Sequence, residues 1–363
     1  MVKKIIENFP RRLGMNCLTS AIRDIMEYYG HSYSEDFCYG MGAGLGFWYS
    51  NYKRLVQVTG IGNNIFDELS ATTNVQHRYL CFENNDKAWD IACEFIDNNI
   101  PLALDVEFAG YAASIDAMNS ESKVEKKMLN VLDAIDFRVG GHVTTMVGYD
   151  EQYVYLSENL FYKPVRVPIE VFKKARNPEQ IDFVPPINGM HAFYFPERLP
   201  PIEYCIKIAI KRVIHNMQNS YSAPAYCYPD LPFDSSGLKG ISNFFNNIDT
   251  WISFDNERLE YTLSTLDQIL NRWGSSEVNR VTYGRFLRQA ASILNAEGLS
   301  ECAEGYIDLS RMWKKFLKEL GKAQLEKTIL TSEEFVGLKQ EILKNETELI
   351  SRLDSIASSW KLE

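Results

Sequence analysis

Met15-Asn16-Cys17-Leu18-Thr19-Ser20-Ala21-Ile22-Arg23-Asp24-Ile25-Met26-Glu27-Tyr28-Tyr29-Gly30 is the stretch whose reading decides the fold. Leu18, Ile22, Ile25, Met26 and Tyr29 recur with the 3.6-residue period of an amphipathic helix, and Gly30 is a suitable stop. Gly14 and Asn16 supply the loop before it, so Cys17 falls in the first turn. There the unpaired backbone N–H groups and the positive end of the helix dipole favour an anionic sulfur. Its counterpart lies 125 residues downstream, in Gly140-Gly141-His142-Val143-Thr144-Thr145-Met146-Val147-Gly148-Tyr149-Asp150. That segment is a glycine-preceded histidine opening a β-like run.

A thiol nucleophile needs a base to take its proton and a third group to orient that base. Of the five histidines, His142 has the best context, because glycines precede it and a strand holds its ring. His31 and His77 sit in loop-like stretches, His215 lies on a basic helix, and His191, which begins a late strand, is the one serious rival. For the orienting acid, Tyr153-Val154-Tyr155-Leu156 runs into Ser157-Glu158-Asn159, and antiparallel pairing would return Glu158 beside His142. Glu158 is favoured over Asp150, whose turn position is ordinary turn chemistry, with Asn159 behind both. A helix-start Cys with a strand His roughly 130 residues on is the layout of papain-like thiol catalysts. A free cysteine is more often an inert buried thiol; the helix start and the placed histidine tip Cys17 toward catalysis. Cys38, Cys81, Cys93, Cys205, Cys227 and Cys302 are scattered without a C-x-x-C pair, which argues against zinc. The odd cysteine count and an N-terminus without an apolar signal region lead us to expect a reduced, cytoplasmic protein.

With 363 residues, 45% hydrophobic, the chain suffices for one large or two ordinary domains. The expected division is 1–200, mixed α and β, and 201–363, with the composition changing at Pro196-Glu197-Arg198-Leu199-Pro200-Pro201. Beyond it the pattern predicts helices at 202–218, 237–247, 255–272, 279–297, 299–320 and 332–361. The expected fold class is therefore α+β, a papain-like cysteine-protease fold followed by an all-helical C-terminal region. Tyr111 to Arg138 reads as a polar insertion, helical and suited to a lid. No run of 18 apolar residues is present, so no membrane partner is expected. A net charge of −10 makes nucleic acid a poor partner and would draw a cationic amine. The glycines of Tyr39-Gly40-Met41-Gly42-Ala43-Gly44-Leu45-Gly46-Phe47-Trp48-Tyr49 lack the lysine of a phosphate loop and suggest a close backbone approach instead.

The chain resembles the butirosin biosynthesis protein H family. The resemblance is carried by Asn16-Cys17-Leu18-Thr19-Ser20-Ala21, Tyr33-Ser34-Glu35, the glycine-rich stretch 39–49 and Gly141-His142 through Asp150. It continues in Gly237-Leu238-Lys239-Gly240-Ile241 and Tyr283-Gly284-Arg285-Phe286-Leu287-Arg288-Gln289-Ala290-Ala291. It implies a papain-like fold run in reverse, in which Cys17 takes an acyl group from a carrier-protein thioester and passes it to an amine, with His142 as base. The partners implied are an acyl or peptidyl carrier protein, whose phosphopantetheine bears the acyl group, and a small amine such as an aminoglycoside or polyamine. No metal and no bound cofactor is implied. The glutamine that many papain-like peptidases carry a few residues before the Cys is absent from Phe9 to Arg12. The oxyanion donors would then be the Cys17 N–H and another group, with Asn16 a candidate. A cysteine peptidase or amidase with water as acceptor is the alternative, and shielding by Phe47-Trp48-Tyr49 and the helical half would separate the two. For carrier docking the basic candidates are Lys207, Lys211 and Arg212, and Lys173, Lys174 and Arg176, although each such patch is more often an ordinary solvated helix face.

Overall fold

The structure, a computed structural model, describes residues 4–52, 55–112, 114–117, 141–181, 185–220, 224–225, 228–232, 235–267, 270 and 276–360. Along the chain come β1 (Lys4–Ile5), α1 (Cys17–Tyr28), α2 (Glu35–Met41), β2 (Leu45–Tyr52), β3 (Leu55–Ile61), α3 (Ile65–Thr73) and β4 (Gln76–Leu80). Next are α4 (Asn85–Asp97), β5 (Leu102–Val106), α5 (Ala109–Ala112), β6 (Asp116–Ala117), β7 (His142–Tyr149), β8 (Tyr153–Ser157) and β9 (Val165–Pro168). Then α6 (Ile169–Arg176), β10 (Met190–Tyr194), α7 (Ile202–Gln218), β11 (Pro224–Ala225), β12 (Tyr228–Pro232) and β13 (Ser235–Ser236) follow. The last are α8 (Gly237–Ile248), α9 (Asn256–Asp267), α10 (Arg280–Leu294), α11 (Glu297–Lys322) and α12 (Glu333–Ser358).

Contacts divide the chain into two compact units: Met1–Glu35 with Val75–Glu197, and Asp36–Asn74 with Arg198–Glu363. One boundary between these units falls at Glu197/Arg198. A single contiguous 1–200 domain does not describe the molecule, however, because Asp36–Asn74 packs with the C-terminal half. The physical reason lies in the glycine-rich stretch. A Cβ on Gly40 would sit 1.9 Å from the Phe286 ring, and one on Gly46 would sit 2.2 Å from the Gly62 Cα. The absent side chains let α10 and the backbone just past β3 approach that closely.

The first unit is built on an antiparallel sheet of order β4-β10-β5-β7-β8-β9-β6, with β1 pairing β7. β5 is buried along its whole length, and β7 is buried from Val143 to Gly148. Both are buried on alternating sides, polar residues included, because both sheet faces are covered. Between β7 and β8 the register shifts at Met146/Gly148: Tyr149 faces Val154 and Gly148 faces Tyr155, but Met146 faces Leu156 and Thr145 faces Ser157. This one-residue bulge governs which face of the sheet receives the residue after β8.

The second unit is mostly helical, with β13-β2-β3 forming a small sheet and β11 pairing β12. Phe47, Phe244, Phe245, Trp313 and Phe316 form its aromatic centre, as the helical spacing of those in the C-terminal half predicts. Within that core Arg280 Nε donates to Glu346 Oε1 at 2.7 Å and Trp313 Nε1 donates to the same oxygen at 2.8 Å. Of the insertion read as a lid, Tyr111 and Ala112 belong to α5, whereas 118–140 lie outside the described residues. Among the described residues no helix is long and apolar enough to cross a membrane.

Candidate active site

The loop entering α1 is held from three directions. Asn16 takes an extended backbone (φ −131°, ψ 135°), and its side chain accepts the N–H of Leu18 and Thr19. This is N-capping, which satisfies two of the orphan donors at the helix start. Glu35 accepts from the N–H of Met15 at 3.0 Å, from the N–H of Asn16 at 2.9 Å and from the Thr19 hydroxyl at 2.7 Å. Arg23, buried on α1, donates to the carbonyls of Leu13 and Arg12 at 3.0 and 2.9 Å. At the far end Gly30, with φ +92°, ends the helix as expected: its N–H reaches Glu27 O and that of His31 reaches Met26 O, a Schellman closure. Cys17 therefore starts a rigid helix and is half-buried.

The structure brings Cys17, His142 and Glu158 together. Cys17 is close enough to His142 for its sulfur to act on the charge of the imidazole. His142 Nε2 lies 3.1 and 3.0 Å from the two Glu158 oxygens, which leaves Nδ1 for the sulfur. Glu158 is fully buried as a side chain, whereas that of His142 is 17% exposed. Burial alone pushes the imidazole down. The Glu158 carboxylate and the Cys17 sulfur overcome it and raise His142 from its ordinary 6.5 to about 10. The bulge explains the meeting. Continuing the observed β7–β8 register sets Glu158 level with Thr144, on the same face as His142, two residues away.

The competing assignments separate cleanly. Asp150 accepts the N–H of Gln152 and Tyr153 and the Tyr155 hydroxyl, each at 2.8 Å, at the opposite end of β7. Asn159 is engaged with the entering loop: its carbonyl accepts the Gly14 N–H at 2.8 Å and its Nδ2 donates to Gly14 O at 3.3 Å. His191 is committed elsewhere, with Nε2 at 3.1 Å from Asp105 Oδ1 and Nδ1 at 2.9 Å from His77 Nε2. Asn16 Oδ1 accepts the capping N–H groups, which does not touch the Nδ2 donor through which Asn16 would serve an oxyanion. Of the basic patches, Arg176 is buried and donates to Asn188 O, and Lys173 pairs with Asp86 at 2.8 Å, so the 173–176 face is not a free basic surface. Arg212 is bonded to the buried Glu68.

Sequence reasoning missed two residues. Tyr111, placed by α5, is buried and donates to Glu158 Oε2 at 2.8 Å. No local signal marks it, since its partner is 47 residues away. Glu35 appeared only inside Tyr33-Ser34-Glu35, and its role as acceptor for the Cys17 loop is a tertiary fact. Phe108 lies against the His142 ring at 4.7 Å between centroids, fixing its plane. Among the described residues no cluster of His, Cys, Asp and Glu could hold a metal ion.

A helix-start thiol, a strand imidazole and a buried carboxylate in line are the arrangement of papain-like cysteine enzymes. The model of the N-terminal domain of butirosin biosynthesis protein H matches residues 16–112, and a domain of unknown function, DUF4872, matches residues 172–353, half of the chain. No curated protein matches the sequence significantly. Among solved structures the chain is similar to a C39-like peptidase from Bacillus anthracis. The two are 13% identical over 55% of this chain and 100% of that one, with a TM-score of 0.34, too distant to bear on the site. With Cys17 inside the first matched segment and the second match spanning half of the chain, the chain belongs to the butirosin biosynthesis protein H family and carries the thiol, imidazole and carboxylate arrangement of papain-like cysteine enzymes.

Proposed function

We propose that the enzyme takes an acyl group from a carrier-protein thioester onto Cys17 and transfers it to an amine, forming an amide. The observation that carries this reading is the Cys17–His142–Glu158 line, in which Glu158 and Cys17 together keep His142 protonated near neutral pH. With the proton on His142, the Cys17 sulfur attacks the thioester carbonyl as its anion. The carbon–sulfur bond to the pantetheine arm breaks, and the leaving sulfur takes the proton from His142. The now neutral imidazole accepts a proton from the incoming amine as its nitrogen attacks the Cys17 thioester. The acyl–Sγ bond then breaks, returning the Cys17 anion and the imidazolium. Net, one thioester and one amine become one amide and one free thiol. Amine acceptors suit a chain of net charge −10, which concentrates cations.

Intact-protein mass spectrometry tests it. A cognate acyl-carrier thioester should add the acyl mass to the wild type and not to Cys17→Ala. The loaded enzyme should persist for minutes in buffer and discharge rapidly with an aminoglycoside or polyamine, the product carrying the amide. Discharge by water alone, indifferent to any amine, would leave a hydrolase instead.

A further inference from the structure

We infer that Tyr111 is a positioning residue for the base: its phenol, donating to Glu158 Oε2, steadies the carboxylate through the stage at which His142 is neutral. This rests on the acyl-transfer reading for its timing, but not for its geometry. Glu158 has two oxygens in a fully buried side chain. Both face His142 Nε2, and Oε2 is also reached by Tyr111 at 2.8 Å. Of the titratable groups around the pair, Cys17 from α1 acts on His142, and Glu158 and Cys17 act on Tyr111 from α5. Burial, followed by the adjoining Glu158 charge, holds the phenol well above its ordinary value, so it keeps its proton and remains a donor at every working pH.

The timing follows from charge. While His142 is protonated, the buried carboxylate has its counter-charge 3.0 Å away. Once His142 has given its proton to the leaving thiol, Cys17 is an uncharged thioester and Glu158 is a buried anion with no cation beside it. A donor to a lone buried carboxylate is worth more than one to a paired carboxylate. Tyr111 therefore favours the discharged state over the charged one, and this difference is what lowers a barrier. Phe108 at 5.2 Å and Phe172 at 6.0 Å between ring centroids fix the Tyr111 ring, and both contacts survive in phenylalanine.

The direction of the effect separates this role from a merely structural one. In Tyr111→Phe the discharged state loses more than the charged state, so the Glu158–His142 pair should hold its proton to higher pH. A loosened site would instead weaken the pairing and let the proton go earlier. The measurement is the His142 titration by NMR in Cys17→Ala, where the sulfur no longer raises it, compared with Cys17→Ala/Tyr111→Phe. We expect an upward shift of about one unit, a tenfold change in proton affinity. In the Cys17-containing enzyme, Tyr111→Phe should lower the acylation rate about tenfold with KM little changed, and add nothing further to Glu158→Gln. No shift, a downward shift, or effects additive with Glu158→Gln would each overturn the assignment. Should no thioester acylate Cys17, the transfer reading fails while the titration still decides the role of Tyr111.

Discussion

Glu158→Gln removes one charge and almost no volume from the site, which makes it the sharpest perturbation of the base. The carboxylate lies 3.0 Å from Nε2, so the two charges are centred about 4 Å apart, where an effective dielectric of about 20 gives about 4 kcal/mol. At about 1.4 kcal/mol per unit, that is about 3 units of proton affinity. His142 should therefore fall from about 10 to about 7 or lower, because burial continues to push it down after the opposing charge is gone. With five histidines in the chain, the spectrum of His142→Gln assigns the NMR signal to be followed. The same shift leaves a mark on stability. A folded-state value raised from 6.5 to about 10 contributes stability that is complete below the first value and disappears as pH rises through the second. Denaturation midpoints of the wild type should decline across that window, and those of Glu158→Gln should be nearly flat there. A His142 midpoint within half a unit of the wild type in Glu158→Gln would refute the claim that this carboxylate sets the state of the base.

His142→Ala should leave the fold intact, because the ring packs mainly against Phe108, and should lower turnover by about 10²–10⁴-fold in an acyl-discharge assay. Glu35→Ala strands the N–H groups of Met15 and Asn16 and leaves the Thr19 hydroxyl only the Asn16 carbonyl; chemical denaturation should report a loss of about 1–3 kcal/mol, with slower acylation of a misplaced Cys17. Arg280→Ala leaves Glu346 buried without its cation and should destabilise the second unit by about 3–5 kcal/mol in the same assay.

The parts of the site that were legible in the sequence are those set by local periodicity. A helix-start cysteine and a strand-opening histidine announce themselves within a dozen residues, and a carboxylate one short turn further on is within reach by counting. Counting alone is insufficient for Glu158, however. Paired back from the turn without interruption, it would stand opposite Thr145, on the wrong face; the register shift at Met146/Gly148, hinted at only by a glycine inside the strand, turns it toward His142. Tyr111 and Glu35 were invisible because their partners are distant in sequence. Asp36–Asn74 was misplaced because its glycines are explained by a surface, the Phe286 ring, that comes more than two hundred residues later.

The bulge acts as a parity setting for the active site. Side chains on a strand alternate, so the residue offered to His142 is decided by whether the count between bulge and strand end is odd or even. Lengthening or shortening the turn at Asp150–Gln152 leaves that count untouched, whereas inserting or deleting a single residue within β8 hands the position to a neighbour. The neighbours are Ser157 and Asn159, a hydroxyl and an amide, neither able to carry the charge that keeps the proton on the imidazole. The hairpin can therefore drift in its turn but not in its ladder, and a chain that lost the bulge would keep its fold, its thiol and its histidine while losing the anion that makes them work together.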